Sequence, residues 1–258
     1  MKKPKIIIWD LETMPNPEEV IKRLPGMGAW PGRTLKSDLN SIICFGYKEY
    51  GKKRAKCVNG WDFQKHWNKD RHNDYKVVKA AYDILKDADG IVTHNGTKFD
   101  VKVLNTRLKY HGLPRLPKIH HTDTVRLARS NLSLFSNSLS AVAKFLNCTD
   151  KMQVNNKWDL WVKLSMGKDT KKTRDVMTKY CKQDVDTLEE VYEELKQYHT
   201  SHVNFNAVAG TKENCPTCGS THTQKYGTKI TKTGKKQRYQ CQDCAAVFTK
   251  TPKGVAKC

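Results

Sequence analysis

The segment at residues 5–13 constrains the fold more than any other part of the sequence. Three branched aliphatic residues, Ile6 to Ile8, are typical of a strand buried on both faces, and the run leads to Asp10 and Glu12. Because side chains alternate along a strand, these two carboxylates are predicted to point to the same side. Two such acids repel each other and lose hydration unless a cation neutralises them. The segment therefore predicts a site for Mg²⁺ or Mn²⁺, with an ordinary strand running into a polar loop as the alternative.

The length and charge of the chain bound its class. A chain of 258 residues can form one sizeable core with a small appendage, or two domains. Its 47 Lys and Arg residues against 26 Asp and Glu give a formal charge of +21, typical of a protein whose partner is nucleic acid. No apolar run reaches membrane-spanning length, and no signal-peptide core is present. We therefore predict a soluble, cytoplasmic protein without a membrane partner.

The middle of the chain alternates between predicted strands and helices. Strands are predicted at 41–50, 54–59, 91–93 and 119–122, and helices at 73–87, 100–110, 123–128, 138–146 and 173–198. This order predicts an α/β fold, a mixed sheet with flanking helices. Residues 14–40 are rich in proline and glycine and are predicted to form a long loop, whose role stays open between lid and binding loop. Within this loop, Met27 and Trp30 either stack on a base or anchor the loop to the core.

Two further motifs add carboxylates to the first pair. The sequence HNGTKFD places Asp100 at the start of a predicted helix, where the helix dipole favours an anion, and a simple helix cap is the alternative. The sequence YCKQD lies in the longest predicted helix, where Tyr180 and Asp184 are four residues apart and share one face. Asp186 is predicted to lie on the solvated surface or in a salt bridge. An acid and a phenol on the inner face of a helix indicate a functional role.

The sequences IWDLET, HNGTKFD and YCKQD resemble, in order, the three motifs of the DEDD 3′–5′ exonucleases. The tyrosine of the third motif is similar to that of the DEDDy subgroup. Asp123-Thr124, residues 127–129 and the predicted helix at 138–146 also look like segments between the motifs in polymerase-B-type members. The resemblance covers roughly residues 5–198 and implies an RNase H-like fold.

The resemblance also implies a role for each motif residue. The residues implied to hold two divalent ions are Asp10, Glu12, Asp100 and Asp184. Such a pair of ions clamps an in-line displacement at phosphorus. Tyr180 is implied to orient the attacking water, since a phenol is a poor base at neutral pH. Asn95 and Phe99 are implied to position the terminal nucleotide, Phe99 either by stacking or as the core anchor of its helix, and His94 is interpreted as structural.

Four of the nine cysteines form two Cys-x-x-Cys pairs near the C-terminus. They are Cys215, Cys218, Cys241 and Cys244. In a chain without a secretory signal, two such pairs predict a structural Cys₄ zinc site. The sequence around them resembles zinc ribbons of transposase-associated and transcription-related proteins, with strands predicted at 224–228 and 238–240. Basic residues, Lys225 and Arg238 among them, are predicted to bind nucleic acid, and basic loops that only confer solubility are the alternative.

These features predict an exonuclease domain over residues 1–203, a linker over 204–211 and a nucleic-acid-binding zinc ribbon over 212–258. The predicted activity is 3′–5′ hydrolysis of DNA, mainly at single-stranded 3′ ends, to nucleoside monophosphates. An exoribonuclease is the alternative because the same acids serve either sugar, and a binding module without catalysis is a further one. The resemblances also favour a bacteriophage or mobile-element origin, with a replication or recombination protein as a candidate partner.

Overall fold

The computed structural model of the chain describes residues 4–14, 40–150, 152, 154, 157–198, 214–232 and 234–249. The interior of the predicted loop, with Met27 and Trp30, lies outside the described residues, and so does the predicted linker at 204–211. In the described ranges, no helix is both long and apolar enough to cross a membrane.

A five-stranded mixed sheet forms the centre of the N-terminal part. Its strands are β1 (Ile6–Met14), β2 (Ser41–Glu49), β3 (Lys56–Asn59), β4 (Gly90–Thr93) and β5 (His120–Asp123). The strand order is β3-β2-β1-β4-β5, in which β1, β2 and β3 are antiparallel neighbours while β4 and β5 run parallel to β1. The acid-bearing strand β1 is therefore central, as its apolar run predicts.

Seven α-helices are found in the described part of the chain. They are α1 (Gln64–Lys69), α2 (Tyr75–Leu85), α3 (Asp100–Tyr110), α4 (Thr124–Asn131), α5 (Leu139–Phe145), α6 (Lys157–Ser165) and α7 (Lys171–Leu195). The five predicted helices are confirmed as α2, α3, α4, α5 and α7. Helices α1 and α6 are not among the predicted helices.

The two faces of β1 belong to two different layers of the core. Ile7, Trp9 and Leu11 pack with side chains of α2 and α3. Ile6 and Ile8 pack on the other face, against α4, α5 and the long helix α7. Because the side chains alternate, Asp10 and Glu12 continue the row of Ile6 and Ile8 on the face of α7. The fold thus carries both acids to the helix that bears the third motif.

A second, three-stranded antiparallel sheet, the C-terminal sheet, follows in sequence. It consists of β6 (Thr223–Thr231), β7 (Gly234–Cys241) and β8 (Val247–Thr249), in the order β6-β7-β8. The predicted strands at 224–228 and 238–240 lie within β6 and β7, whereas β8 was not predicted. The two Cys-x-x-Cys pairs lie before β6 and at the end of β7.

Candidate metal centre

Three carboxylates meet where β1 faces α7. Asp10 and Glu12 from β1 and Asp184 from α7 offer oxygen atoms that lie within 4.8 Å of one another. The two strand acids are half-buried, and Asp184 is buried. Three like charges this close repel one another, and burial strengthens the repulsion. The cluster therefore suits a hard divalent cation, whose preferred ligands are carboxylate oxygens.

A β-bulge lies directly after Glu12. The register of β1 against β2 shifts between Glu12, which pairs with Cys44, and Thr13, which pairs with Ile42. The extra residue is Ile43, so β2 is the bulged strand and the ladder beside Glu12 is irregular. Glu12 is thus presented at the point where β1 leaves its regular ladder.

The fourth predicted acid, Asp100, lies next to β1 but outside this group of three. It is 2% exposed, and its Oδ1 accepts a hydrogen bond of 3.2 Å from the backbone N–H of Leu11. The ladder between β1 and β4 extends from Ile6 to Ile8, so Asp100 meets the edge of β1 beyond it. Asp100 is the first residue of α3 and Phe99 holds the N-cap position, so the simple helix-cap alternative is wrong.

Tyr180 lies one turn of α7 before Asp184. It is 6% exposed, and its ring makes an edge-on contact with Trp161 of α6, with 5.9 Å between ring centroids. The predicted shared inner face of Tyr180 and Asp184 is therefore confirmed. The support from α6 was missed because that helix was not predicted. Asp186 points elsewhere and forms a salt bridge of 2.7 Å with Lys48, as expected.

The segment between β4 and α3 is held in place by Asp123. The carboxylate of Asp123 accepts hydrogen bonds from the backbone N–H groups of Asn95, at 2.9 Å, and Thr97, at 3.0 Å. Burial acts to raise the pKa of Asp123, but these hydrogen bonds outweigh it and hold the pKa below its ordinary value. No role was predicted for Asp123. The sequence signal for this role is that Asp123 ends β5, while a polar segment follows the neighbouring strand β4.

Three other residues of the HNGTKFD motif have distinct surroundings. His94 is hydrogen bonded to Thr124 Oγ1 at 2.8 Å and to the carbonyl of Asn137 at 3.0 Å, which agrees with a structural role. Asn95 has a φ of 68°, in the left-handed region, and is half-buried. Phe99 is 43% exposed, so of the two alternatives for this residue the core anchor is wrong. Its ring is accessible for stacking.

We expect Gly96→Ala to destabilise this segment severely. A Cβ at Gly96 would lie 2.1 Å from Thr93 Oγ1 and 2.5 Å from Thr93 Cβ. Thr93 is buried and is hydrogen bonded to His121, at 2.8 Å, so it cannot move aside cheaply. The expected loss is about 3 kcal/mol of unfolding free energy, measured by urea denaturation. Gly112→Ala is the control, because it has a φ of 66° but open space around its Cβ, and should cost about 1 kcal/mol. Equal losses in both variants would contradict the steric account.

A second cluster is formed by the four cysteines of the C-terminal sheet. All four sulfur atoms lie within 4.8 Å of one another, with Cys215 and Cys244 at 3.6 Å and Cys218 and Cys241 also at 3.6 Å. Thiolates at the Zn–S distance of about 2.3 Å form a tetrahedron with edges of about 3.8 Å. The sulfur positions therefore fit one zinc ion.

Lys225 and Arg238, the predicted nucleic-acid-binding residues of this sheet, are not brought together. Lys225 pairs with Tyr239, and Arg238 precedes Tyr239 in β7 and pairs with Thr249. Because directly paired residues share a face and successive residues alternate, Lys225 and Arg238 lie on opposite faces.

Comparison with known proteins assigns the N-terminal fold. A mixed five-stranded sheet with flanking helices and acids on its central strand is an RNase H-like α/β fold. A family model of the RNase_H superfamily matches residues 33–196, and the chain belongs to this superfamily. The match begins after the strand that carries Asp10 and Glu12.

Among solved structures, the chain is similar to the family B DNA polymerase from the hyperthermophilic archaeon Pyrobaculum calidifontis. The TM-score is 0.56 at 16% sequence identity, over 81% of this chain and 27% of the polymerase. At this identity the likeness concerns the fold, and the chain spans 27% of the polymerase's length. No curated protein matches the chain.

Proposed function

We propose that this chain is a metal-dependent 3′–5′ exonuclease of the DEDDy type that hydrolyses DNA. The observation that carries the proposal is the cluster of Asp10, Glu12 and Asp184, with Tyr180 one helical turn away. Two elements far apart in sequence present these acids at one point, next to the buried Asp100. Membership of the RNase_H superfamily supports phosphodiester hydrolysis by such a cluster.

The carboxylates of Asp10, Glu12 and Asp184, with Asp100 beside them, would hold Mg²⁺ or Mn²⁺. When bound, two such ions stabilise the charge that develops around phosphorus and lower the pKa of the attacking water. The chain itself fixes the ligands: β1 carries Asp10 and Glu12, burial holds Asp184, and the Asp100 carboxylate accepts a hydrogen bond from the backbone of Leu11.

Tyr180 would orient the attacking water through its phenol group. A tyrosine side chain ordinarily titrates at a pH of about 10, so orientation suits it better than proton abstraction at neutral pH. Its ring is buried and packs edge-on against Trp161, which restricts its rotation. This packing gives the water a fixed partner at little entropic cost.

Asn95 and Phe99 would recognise the 3′-terminal nucleotide. The backbone N–H of Asn95 donates a hydrogen bond to the Asp123 carboxylate, which fixes the position of this residue. Phe99 exposes its ring at the start of α3. An aromatic ring that accepts any base by stacking provides affinity without sequence preference, as an exonuclease requires.

We expect Phe99→Ala to raise KM for single-stranded DNA by about tenfold, because stacking on one base contributes about 1–3 kcal/mol. The maximal rate should fall less than the affinity, since Phe99 offers no ligand atom to the acid cluster. Tyr110→Ala is the control: Tyr110 is more exposed, at 65%, but lies at the C-terminal end of α3, eleven residues after Phe99. An unchanged KM for Phe99→Ala in steady-state kinetics would exclude the stacking role.

For the C-terminal sheet, we propose a zinc ribbon, residues 212–258, in which the four cysteines hold one structural Zn²⁺. Four thiolate ligands leave no open position on zinc, so this ion has a structural role. The ribbon would contact nucleic acid and tether it to the exonuclease domain, residues 1–203, which raises the local concentration of 3′ ends.

The choice of substrate is tested with single-stranded DNA and RNA of the same sequence, each with Mg²⁺ or Mn²⁺. We expect DNA to be degraded faster than RNA, with Asp10→Ala inactive on both. Faster degradation of RNA would replace the DNA assignment with an exoribonuclease. Binding without cleavage of either strand would contradict the enzyme and leave a nucleic-acid-binding module.

A further inference from the structure

The basic residues of the C-terminal sheet are divided between its two faces. In β7, Lys236 and Arg238 are two residues apart and share one face, and Lys229 of β6 joins them because it pairs directly with Lys236. We call the face of Lys229, Lys236 and Arg238 the basic face. The opposite face carries Lys225 and Lys235.

The basic face is built with an uncompensated repulsion. Lys229 and Lys236 lie directly opposite each other, and like charges in this arrangement destabilise a sheet. Among the described residues, no salt bridge involves Lys229 or Lys236. An anion that lies across Lys229 and Lys236 would remove the repulsion.

A depression in the sheet includes residues of the basic face. Lys229, Arg238, Val247 and Thr249 contribute to its lining from this face. The guanidinium of Arg238 lies over the Tyr226 ring, 5.5 Å from its centroid, and Arg238 Nε has no acceptor within the described ranges. A hydrogen-bond donor left in this state is costly unless a ligand reorganises it.

Apolar groups surround these charges. Tyr226, whose ring lies under Arg238, is 45% exposed and Val247 is 43% exposed, so the basic face combines cationic donors with exposed apolar surface. Lys236 and Arg238 are separated by about 7 Å along the strand, which lets them contact separate phosphates. A single-stranded nucleic acid meets both demands, with phosphates for the cations and base faces for the apolar groups. An acidic protein segment would use the charges but not the apolar surface.

We propose that the C-terminal sheet binds single-stranded nucleic acid on the basic face alone. This inference rests on the proposed role of the sheet as a nucleic-acid tether and adds the surface and the strand form. Under this proposal the lysines of the opposite face, Lys225 and Lys235, do not contact the nucleic acid, although they carry the same charge.

Neighbouring lysines provide a matched test. Lys236→Glu and Lys235→Glu make the same charge change at consecutive positions of β7, on opposite faces. Binding of labelled single-stranded DNA by the full-length, zinc-loaded protein is measured by fluorescence anisotropy, with Asp184→Asn present to prevent cleavage. We expect Lys236→Glu to weaken binding about tenfold and to reduce the slope of affinity against salt by about 0.7, one phosphate contact. Lys235→Glu should stay within about twofold.

The two lysine variants distinguish contact on one face from loss of the fold and from general charge attraction. Lys236→Glu places an acid opposite Lys229, an attractive pair, so loss of the fold is not expected. Equal weakening by both variants would mean long-range charge attraction and would overturn the face assignment. No weakening by either would remove the sheet from the binding surface. Stronger competition by polyglutamate than by unlabelled DNA would overturn nucleic acid as the ligand. Since no cleavage is measured, failure of the exonuclease proposal would leave this result interpretable.

Discussion

Replacing Asp184 with Asn is expected to lower kcat/KM on single-stranded DNA by about a thousandfold or more. Asp184 shares the cluster with Asp10 and Glu12, and it is 1% exposed, so no solvent ligand can substitute for it easily. Stabilisation by a bound divalent ion contributes several kcal/mol to such a reaction, and each 1.4 kcal/mol is about tenfold in rate. The measurement is a steady-state nuclease assay with Mg²⁺ and with Mn²⁺.

Asp186→Asn is the matched control for this prediction. It makes the same chemical change two residues along α7, but its carboxylate pairs with Lys48 at the surface side of the helix. We expect its activity to stay close to that of the unchanged protein. If Asp186→Asn lost as much activity as Asp184→Asn with both proteins folded, the loss could not be assigned to the acid cluster.

Replacing Cys241 with Ser is expected to have the largest effect on stability. Binding of Zn²⁺ to a structural Cys₄ site is worth about 10–16 kcal/mol, and small zinc units are unfolded without their metal. Of the residues in β6, β7 and β8, only Cys241 is buried, so the ion replaces a hydrophobic core. Elemental analysis should find one zinc per chain in the unchanged protein and none in the variant.

Hydrogen exchange measured by mass spectrometry should then show lost protection confined to β6, β7 and β8. The five-stranded sheet has its own core and should keep its protection. Cys148→Ser is the control, because Cys148 lies outside the four-cysteine cluster and is half-buried. Full zinc content in Cys241→Ser would rule out the proposed ligand set.

Much of this architecture could be predicted because it depends on local sequence patterns. The apolar run before Asp10 is enough to predict a central strand, and residues 100–110 were predicted as the helix that α3 forms, Asp100–Tyr110. The inner face of Tyr180 and Asp184 follows from helical spacing alone. These features require no knowledge of what packs against them.

The parts that were missed depend on partners distant in sequence. The bulge after Glu12 is a property of the pairing between β1 and β2, and the contact of Asp100 with Leu11 depends on where the β1–β4 ladder ends. The support of Asn95 by Asp123 joins the ends of two neighbouring strands. Patterns within one segment carry no record of such pairings.

The same reason explains why the division of the basic residues between the two faces of the C-terminal sheet could not be predicted. In the sequence, Lys225 and Arg238 are equivalent members of one charged stretch. The pairing of β6 with β7 shifts between Lys225 and Thr228, and that irregularity decides which residues of β6 share a face with Arg238. The division into two faces therefore became visible only once the register was known.

The central claim is that the acid cluster removes nucleotides from the 3′ end, and end-labelled DNA tests it most directly. The same single strand is labelled at its 5′ end in one reaction and at its 3′ end in another. Both reactions contain Mg²⁺, and their products are sampled over time. We predict a ladder of shortening 5′-labelled products and immediate release of the 3′ label as a nucleoside monophosphate. Two results would contradict the account: internal fragments as the first products, or release of the 5′ label as a mononucleotide before the ladder of shortened strands appears.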